Sequence, residues 1–175
     1  MSESVQMTNE SPNNADYPIR VATIDEIDVL IDLRLAMFEA MGYEGQVLER
    51  AIDPMRNYFQ EHLPSGAFRV WVAENQGETV ASIGLVIHSI PPSPKNLIGK
   101  EAYVMNLVTL QEFRRRGIAK KLILHVLDTA RSEGIRVVSL HASAEGHRLY
   151  EGLGFEISDS VPEMHLMLKS SDGQQ

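Results

Sequence analysis

The stretch of this chain richest in possible chemistry runs from Val108 to Ala119. There an apolar, β-branched run ends and Arg114-Arg115-Arg116-Gly117-Ile118-Ala119 opens an amphipathic segment. Read as strand, turn and helix, it sets free backbone N–H groups and the positive end of a helix dipole beside three guanidinium groups. That combination suits a phosphate, and Lys or Arg placed there adds attraction to a multiply charged anion. Gly117 allows close approach of a ligand to the backbone, and the small Ala119 leaves room on the first turn. Residues 112–121 carry five cations and one acid, a local +4 in a chain whose formal charge is 16 minus 24, or −8. Taken alone, three arginines before a helix would read as a solvated cluster. The order of elements around them favours the phosphate. Neither G-x-G-x-x-G nor G-x-x-x-x-G-K-[ST] follows a strand, so dinucleotide and P-loop sites have little support.

About thirty residues later stands Leu149-Tyr150-Glu151-Gly152-Leu153-Gly154-Phe155. By itself it reads as a helix end, with Gly152 or Gly154 as a C-cap and Phe155 turning into the core. Candidate bases are Glu101 at a strand start and His88 and His141 on neighbouring strands; each also has a structural reading, as a strand terminus or a hydrogen-bonded imidazole. His141, Glu145 and His147 match no zinc spacing, so no metal is expected. The chain has no cysteine, which removes disulfides, thiolate catalysis and Cys-ligated metals from consideration.

Composition sets the frame for this chemistry. The 175 residues suffice for one ordinary domain, and 43% hydrophobic with 23% charged residues is the profile of a soluble globular chain. The acidic balance argues against broad nucleic-acid binding. Residues 1–18 lack Lys and Arg until after Pro18, have no apolar stretch and read as a disordered tail without a secretory signal. Ser170 to Gln175 reads as a second short tail, leaving residues 19–169 as the domain. Val80 to Ile87 is far too short to cross a membrane, and a cytoplasmic location is expected.

The elements that must hold these residues follow from periodicity. Thr23 and Glu26 form a capping box ahead of an apolar stripe of Ile27, Leu30, Ile31, Leu35 and Phe38, which predicts a helix stopping near Gly42. A second helix is expected over Gln46 to His62, with Pro54 placing its first half in question. Phe68 to Ala73 and Thr79 to Ile90 read as a hairpin about Asn75-Gln76-Gly77. Pro91, Pro92 and Pro94 force a loop, and Glu101 to Leu110 is the next strand. Gly117 to Glu133 is the clearest helix, Val137 to His141 a buried strand, Glu145 to Leu153 a short helix, and Met164 to Leu168 a last strand. The β–α–β step should be a right-handed parallel crossover.

Strand, R-x-x-G-x-A, amphipathic helix, buried strand and then L-Y-E-G-L-G-F, in that order, resemble the GNAT superfamily of N-acetyltransferases, most strongly from Tyr103 to Phe155. The resemblance implies a mixed α/β fold: one domain with a central sheet of about six or seven strands, splayed in the middle and flanked by about four helices. It implies acetyl-CoA as co-substrate. The pyrophosphate falls to Arg114, Arg115, Arg116, Gly117, Ile118 and Ala119, and the pantetheine arm to the backbone of Leu107 and Val108. Tyr150 becomes the acid that protonates the departing thiolate. Leu110 stands where proline is frequent, and Ser143 where asparagine often contacts the cofactor.

Acetyl transfer to an amine requires a neutral amine, a polarised carbonyl and a leaving thiolate. A backbone N–H near Val108 supplies the second, Tyr150 the third, and Glu101 is the candidate base for the first. Without cysteine the implied route is direct attack in a ternary complex. Helices one and two, the proline-rich loop and the last strands should form the acceptor pocket, with Tyr43, Tyr58, Phe59 and Trp71 as candidate walls; Glu39, Glu44 and Glu49 would steer a cationic amine. The acceptor stays open among peptide N-termini, lysine, polyamines, aminoglycosides and small amines. The alternatives are a non-catalytic acyl-CoA sensor and, against the charge, a nucleic-acid binder through Arg114 to Arg116. The last strand, with Met164, Leu166 and Leu168, could pair across a homodimer.

Overall fold

The computed structural model describes residues 16–94, 96–157, 166 and 167. They divide into two compact units, one ending at His141 and a shorter one beginning at Ala142. The first unit is built on a five-stranded sheet in sequential order: β1 (Ile19–Val21), β2 (Phe68–Asn75), β3 (Glu78–Ser89), β4 (Lys100–Thr109) and β5 (Val137–Leu140). Strands β1 to β4 are antiparallel, and β5 joins β4 in parallel after the crossover through α3 (Ile118–Ser132). With α1 (Ile27–Ala40), α2 (Gln46–Ser65) and α4 (His147–Glu151) there are four α-helices among the described residues. The expected mixed α/β architecture is present, with five strands among the described residues rather than six or seven. The expected strand over Met164 to Leu168 lies outside them except for Leu166 and Met167, which carry no regular structure.

Period-two alternation sorts β2 between two helical layers. Phe68, Val70 and Val72 pack with Leu30, Ile31, Met55 and Phe59 of α1 and α2. Trp71 points the other way and meets His125 of α3 edge-on at 5.9 Å. Ile118, Leu122, Ile123, Val126 and Ala130 form the fully buried stripe of α3, each at 2% exposure or less. Burial of such side chains contributes roughly 1.5–3 kcal/mol each. Helix α2 runs through both Pro54 and Pro64, three residues beyond the expected His62, because Met55 and Phe59 anchor it in the core.

The first strand is too short to show a period, yet its single charged residue holds the corner of the sheet. Arg20 donates to Glu26 at 2.7 Å and to Glu74 at 2.6 Å, and Glu26 also accepts from the Thr23 N–H at 2.8 Å, as the capping box requires. The Arg20 hydrogen bond, ahead of any other influence, holds the Glu26 carboxyl at about 2 against an ordinary 4.5. A depressed carboxyl stabilises the fold above its unfolded value and loses that contribution as pH falls toward its folded value. Denaturant melts between pH 5 and pH 2.5 should therefore show stability falling with acid. Glu26→Gln should flatten that fall while lowering stability at pH 6 by about 1 kcal/mol; an acid limb as steep as the parent's would sink this assignment.

The packed chain begins before the expected boundary at residue 19. Tyr17 is 5% exposed, the Glu74 N–H donates to Pro18 O at 3.0 Å, and Lys121 bridges Asp16 and Tyr17 O, each at 2.9 Å. Residues 1–15 and 168–175, which hold the rest of the two expected tails, lie outside the described residues. Among the described residues no helix is long and apolar enough to cross a membrane.

Candidate active site

Between β4 and α3 the chain turns through a short 3₁₀ segment, Gln111–Phe113, and then through two left-handed residues, Arg115 (φ 61°) and Gly117 (φ 80°). Gly117 is required at its position for conformation, since a Cβ there would meet no protein atom within 4 Å. Its side has open space instead. The first intrahelical bond is Lys121 N–H to Gly117 O at 3.0 Å, and no side chain caps Gly117. The amides of Ile118, Ala119 and Lys120 precede that bond and have no intrahelical acceptor. Ile118 is 2% exposed, so its side chain anchors the helix start while its backbone faces the turn.

The cations of this segment are not equivalent, which spacing could not show. Arg114 Nε donates to Thr109 O at 3.1 Å. Arg116 donates to Glu112 O at 2.7 Å and to the Tyr17 hydroxyl at 3.3 Å, and lies 5.2 Å from the Phe113 ring centroid. Lys121 is committed to Asp16 and Tyr17. These three brace the turn through the bonds just named, although all five cations, Arg115 and Lys120 included, are exposed.

Strand β4 explains why the turn opens where it does. It pairs with β5 only from Glu101 to Val104, opposite Val137 to Leu140, yet it continues to Thr109. From Met105 onward no strand among the described residues covers its β5 side, the expected splay. On the β3 side the register shifts between Ser82, opposite Val108, and Gly84, opposite Met105. Asn106 and Leu107 thus share one partner position, and Asn106 takes φ 55°, a left-handed value that Asn tolerates better than most residues. Leu107 is half-buried at this bulge and Val108 is 6% exposed.

Beside the bulge lies a small cleft with room for about one water, lined by Phe59, Phe68, Ser82, Asn106, Val108 and Arg34, among others. Arg34 was not foreseen from sequence. The signal was there: it interrupts the apolar row Leu30, Arg34, Phe38 at four-residue spacing. Its Nη1 donates to Asn106 Oδ1 and its Cζ stands 4.9 Å from the Phe38 ring centroid. Burial lowers its pKa from the ordinary 12.5, opposed by Tyr58. Of the candidate aromatic walls, Phe59 lines this cleft, Tyr58 stacks on His62 at 4.1 Å, and Tyr43 meets Phe38 edge-on at 5.8 Å. Trp71 is no wall here: period-two alternation turns it under α3.

Farther along the same sheet, Glu101 pairs with His88 across the β3–β4 ladder. Tyr103 stands between the two candidate histidines, its ring 6.2 Å from His88 and 5.7 Å from His141. The Tyr103 hydroxyl and His141 Nδ1 are hydrogen-bonded. The structure thus sets two of the candidate bases, His88 and His141, about one tyrosine, with Glu101 opposite His88 by strand pairing that no local motif encodes.

In the second unit, Ser143 starts α4: its Oγ accepts from the Gly146 N–H at 3.2 Å and its carbonyl from the His147 N–H at 3.0 Å. His147 Nδ1 is 3.3 Å from Glu151 Oε2, one turn on. Tyr150 packs edge-on against Phe155 at 5.8 Å, and burial raises its phenol above the ordinary 10. The hydroxyl therefore stays protonated through neutral pH.

A sheet that splays beyond Val104, a bulge, and an uncapped helix start behind R-x-x-G-x-A define an acetyltransferase-type fold. Residues 66–157 match the family model described as the acetyltransferase (GNAT) domain, and the chain belongs to that family. It is 29% identical over 141 residues to N-acetyltransferase family 8 member 2 of Rattus norvegicus, a match covering 78% of this chain and 58% of the relative. It is 35% identical over 80 residues to the uncharacterized N-acetyltransferase YycN of Bacillus subtilis, covering 44% and 49% respectively. The matched region thus spans about half the length of these relatives. A GCN5-related N-acetyltransferase from Ralstonia eutropha superposes with TM-score 0.78 at 28% identity, over 86% of this chain and 99% of that one. A predicted acetyltransferase from Clostridium acetobutylicum, solved with acetyl-CoA, has the same fold with TM-score 0.78 at 24% identity, over 86% and 96%.

Proposed function

We propose that this chain is an acetyl-CoA-dependent N-acetyltransferase that moves the acetyl group to a primary amine by direct attack. The observation that carries the reading is the splay itself: β4 loses its β5 partner at Val104 and leads within fourteen residues to the uncapped start of α3. A long, linear, phosphorylated co-substrate fits that pair of features. The backbone of Leu107 and Val108 takes the pantetheine arm, and the amides of Gly117, Ile118 and Ala119 take the pyrophosphate. Arg115 and Lys120 add charge from the exposed side, while Arg114 and Arg116 hold the turn's shape. Ser143 orders the start of α4.

In the reaction the amine nitrogen attacks the acetyl carbon and the carbon–sulfur bond breaks. A backbone N–H near Val108 polarises the carbonyl. The amine's proton passes to Glu101, with His88 beside it, and Tyr150 gives its proton to the sulfur. Proton return from the base through solvent restores the phenol, so the products are an amide and a thiol.

Calorimetric titration with acetyl-CoA tests the cofactor site. Gly117→Ala should weaken binding at least about tenfold, because alanine resists φ 80° and its methyl would stand in the open space over the helix start. A folded parent protein that does not bind acetyl-CoA would overturn the reading.

A further inference from the structure

We propose that Tyr17, ahead of β1 and outside both sequence motifs, is a positioning residue for the pyrophosphate turn. The inference rests on the acetyltransferase reading above and adds to it a residue that holds the cofactor site in shape. Tyr17, Phe113 and Arg116 form a closed set of three contacts. The Tyr17 ring meets Phe113 edge-on at 6.5 Å, and the Phe113 ring centroid lies 5.2 Å from Arg116 Cζ. Arg116 Nη1 in turn donates to the Tyr17 hydroxyl at 3.3 Å, across 99 positions of sequence. From the first turn of α3, Lys121 Nζ donates to Tyr17 O at 2.9 Å. Tyr17 thus grips the chain on both sides of Gly117. Its own place is fixed by the sheet: Tyr17 is 5% exposed, the Glu74 N–H donates to Pro18 O, and Ile19 pairs with Ala73 of β2.

The backbone of the turn needs such a hold. Arg115 and Gly117, the two neighbours of Arg116, take left-handed φ values of 61° and 80°. Glycine adopts that conformation freely, whereas a residue with a side chain persists there only when its surroundings keep it. Arg116 stands between the two, so anchoring it fixes the direction of the Gly117, Ile118 and Ala119 amides. Its bond to Glu112 O, at 2.7 Å, lies within the turn and moves with it. The bond to Tyr17 ties the turn to the sheet instead. Lys121 and Asp16 add little, because their side chains are 48% and 87% exposed and solvent screens such a pair. The buried ring of Tyr17 is locked by close packing. A turn already in its binding shape spares acetyl-CoA the ordering of that segment, so loss of Tyr17 should appear as lost affinity.

The test is calorimetric titration of the full chain with acetyl-CoA, at a temperature where melting curves show each variant folded. Tyr17→Leu removes ring and hydroxyl and should weaken binding about tenfold; Tyr17→Phe removes the oxygen alone and should weaken it about two- to fivefold. Ile31→Val is the control for stability. It trims the core on the opposite layer of the sheet, 3% exposed and away from the turn, and should lower Tm while binding within about twofold of the parent. If Tyr17 served stability only, its variants would melt earlier yet bind acetyl-CoA as the parent does; that result overturns the proposal. Equal weakening by Ile31→Val and Tyr17→Leu also overturns it, since affinity would then follow stability. Should Tyr17→Leu not fold, Tyr17→Phe decides, because it keeps the packed ring: unchanged affinity in that variant overturns the proposal. Absence of acetyl-CoA binding by the parent would instead remove the acetyltransferase reading on which the proposal stands.

Discussion

Tyr150→Phe is expected to lower kcat by about 10²–10⁴-fold, the usual worth of a positioned general acid, while leaving acetyl-CoA affinity within about twofold. The substitution deletes one oxygen and keeps the ring that packs on Phe155. A loss of turnover therefore reports chemistry and not collapse, and thermal melting of the variant checks this directly. The sign of the pH dependence is fixed by burial, which raises the phenol above 10. The acid is competent below its folded pKa and fails as pH rises through it, so the alkaline limb of kcat should begin above pH 10. Steady-state rates of thiol release from pH 6 to 10.5 measure both effects. Unchanged turnover would assign Tyr150 to packing alone, with water protonating the thiolate. A parent chain that binds acetyl-CoA and turns over no amine would instead be a cofactor sensor.

The second large effect is on stability and comes from a residue with no side chain. A Cβ at Gly84 would lie 2.6 Å from Phe68 Cζ, 2.7 Å from Cε2 and 3.3 Å from Met105 O. Phe68 cannot easily give way: it is 1% exposed, stacked on Phe59 at 5.8 Å and met by Tyr58 at 5.5 Å. Overpacking a close-packed core typically costs 1–3 kcal/mol, so Gly84→Ala should destabilise by about 2 kcal/mol and lower Tm by roughly 4–8 °C. Phe68→Leu in the same chain should recover part of that loss, because the two changes share one contact. Gly84 also pairs with Met105 at the edge of the bulge, so acetyl-CoA binding should weaken together with stability. Equal melting of Gly84→Ala and the parent would show that the Phe68 ring has room to move.

Local chemistry made much of this readable from the chain alone. Side-chain period and caps located α1, α3, the β2–β3 hairpin and the capping box at Thr23 and Glu26, because these depend on residues a few positions apart. Two motifs about thirty residues apart sufficed for the family, whose model covers both. Strand β1 escaped notice because three residues carry no period; its place is set by pairing with β2, fifty positions away. The run of five cations was visible, yet which of them brace the turn depended on Thr109, Glu112, Asp16 and Tyr17.

Sequence by itself therefore determined the fold class, the uncapped glycine turn and the residue types available for acid and base work, since each is encoded over one turn or one strand. Tertiary structure alone decided that Arg34 meets Asn106 at a bulge, that Glu101 faces His88, and that Trp71 belongs under α3. Those are outcomes of register and strand pairing, in which a shift of one position turns a side chain to the opposite face of the sheet.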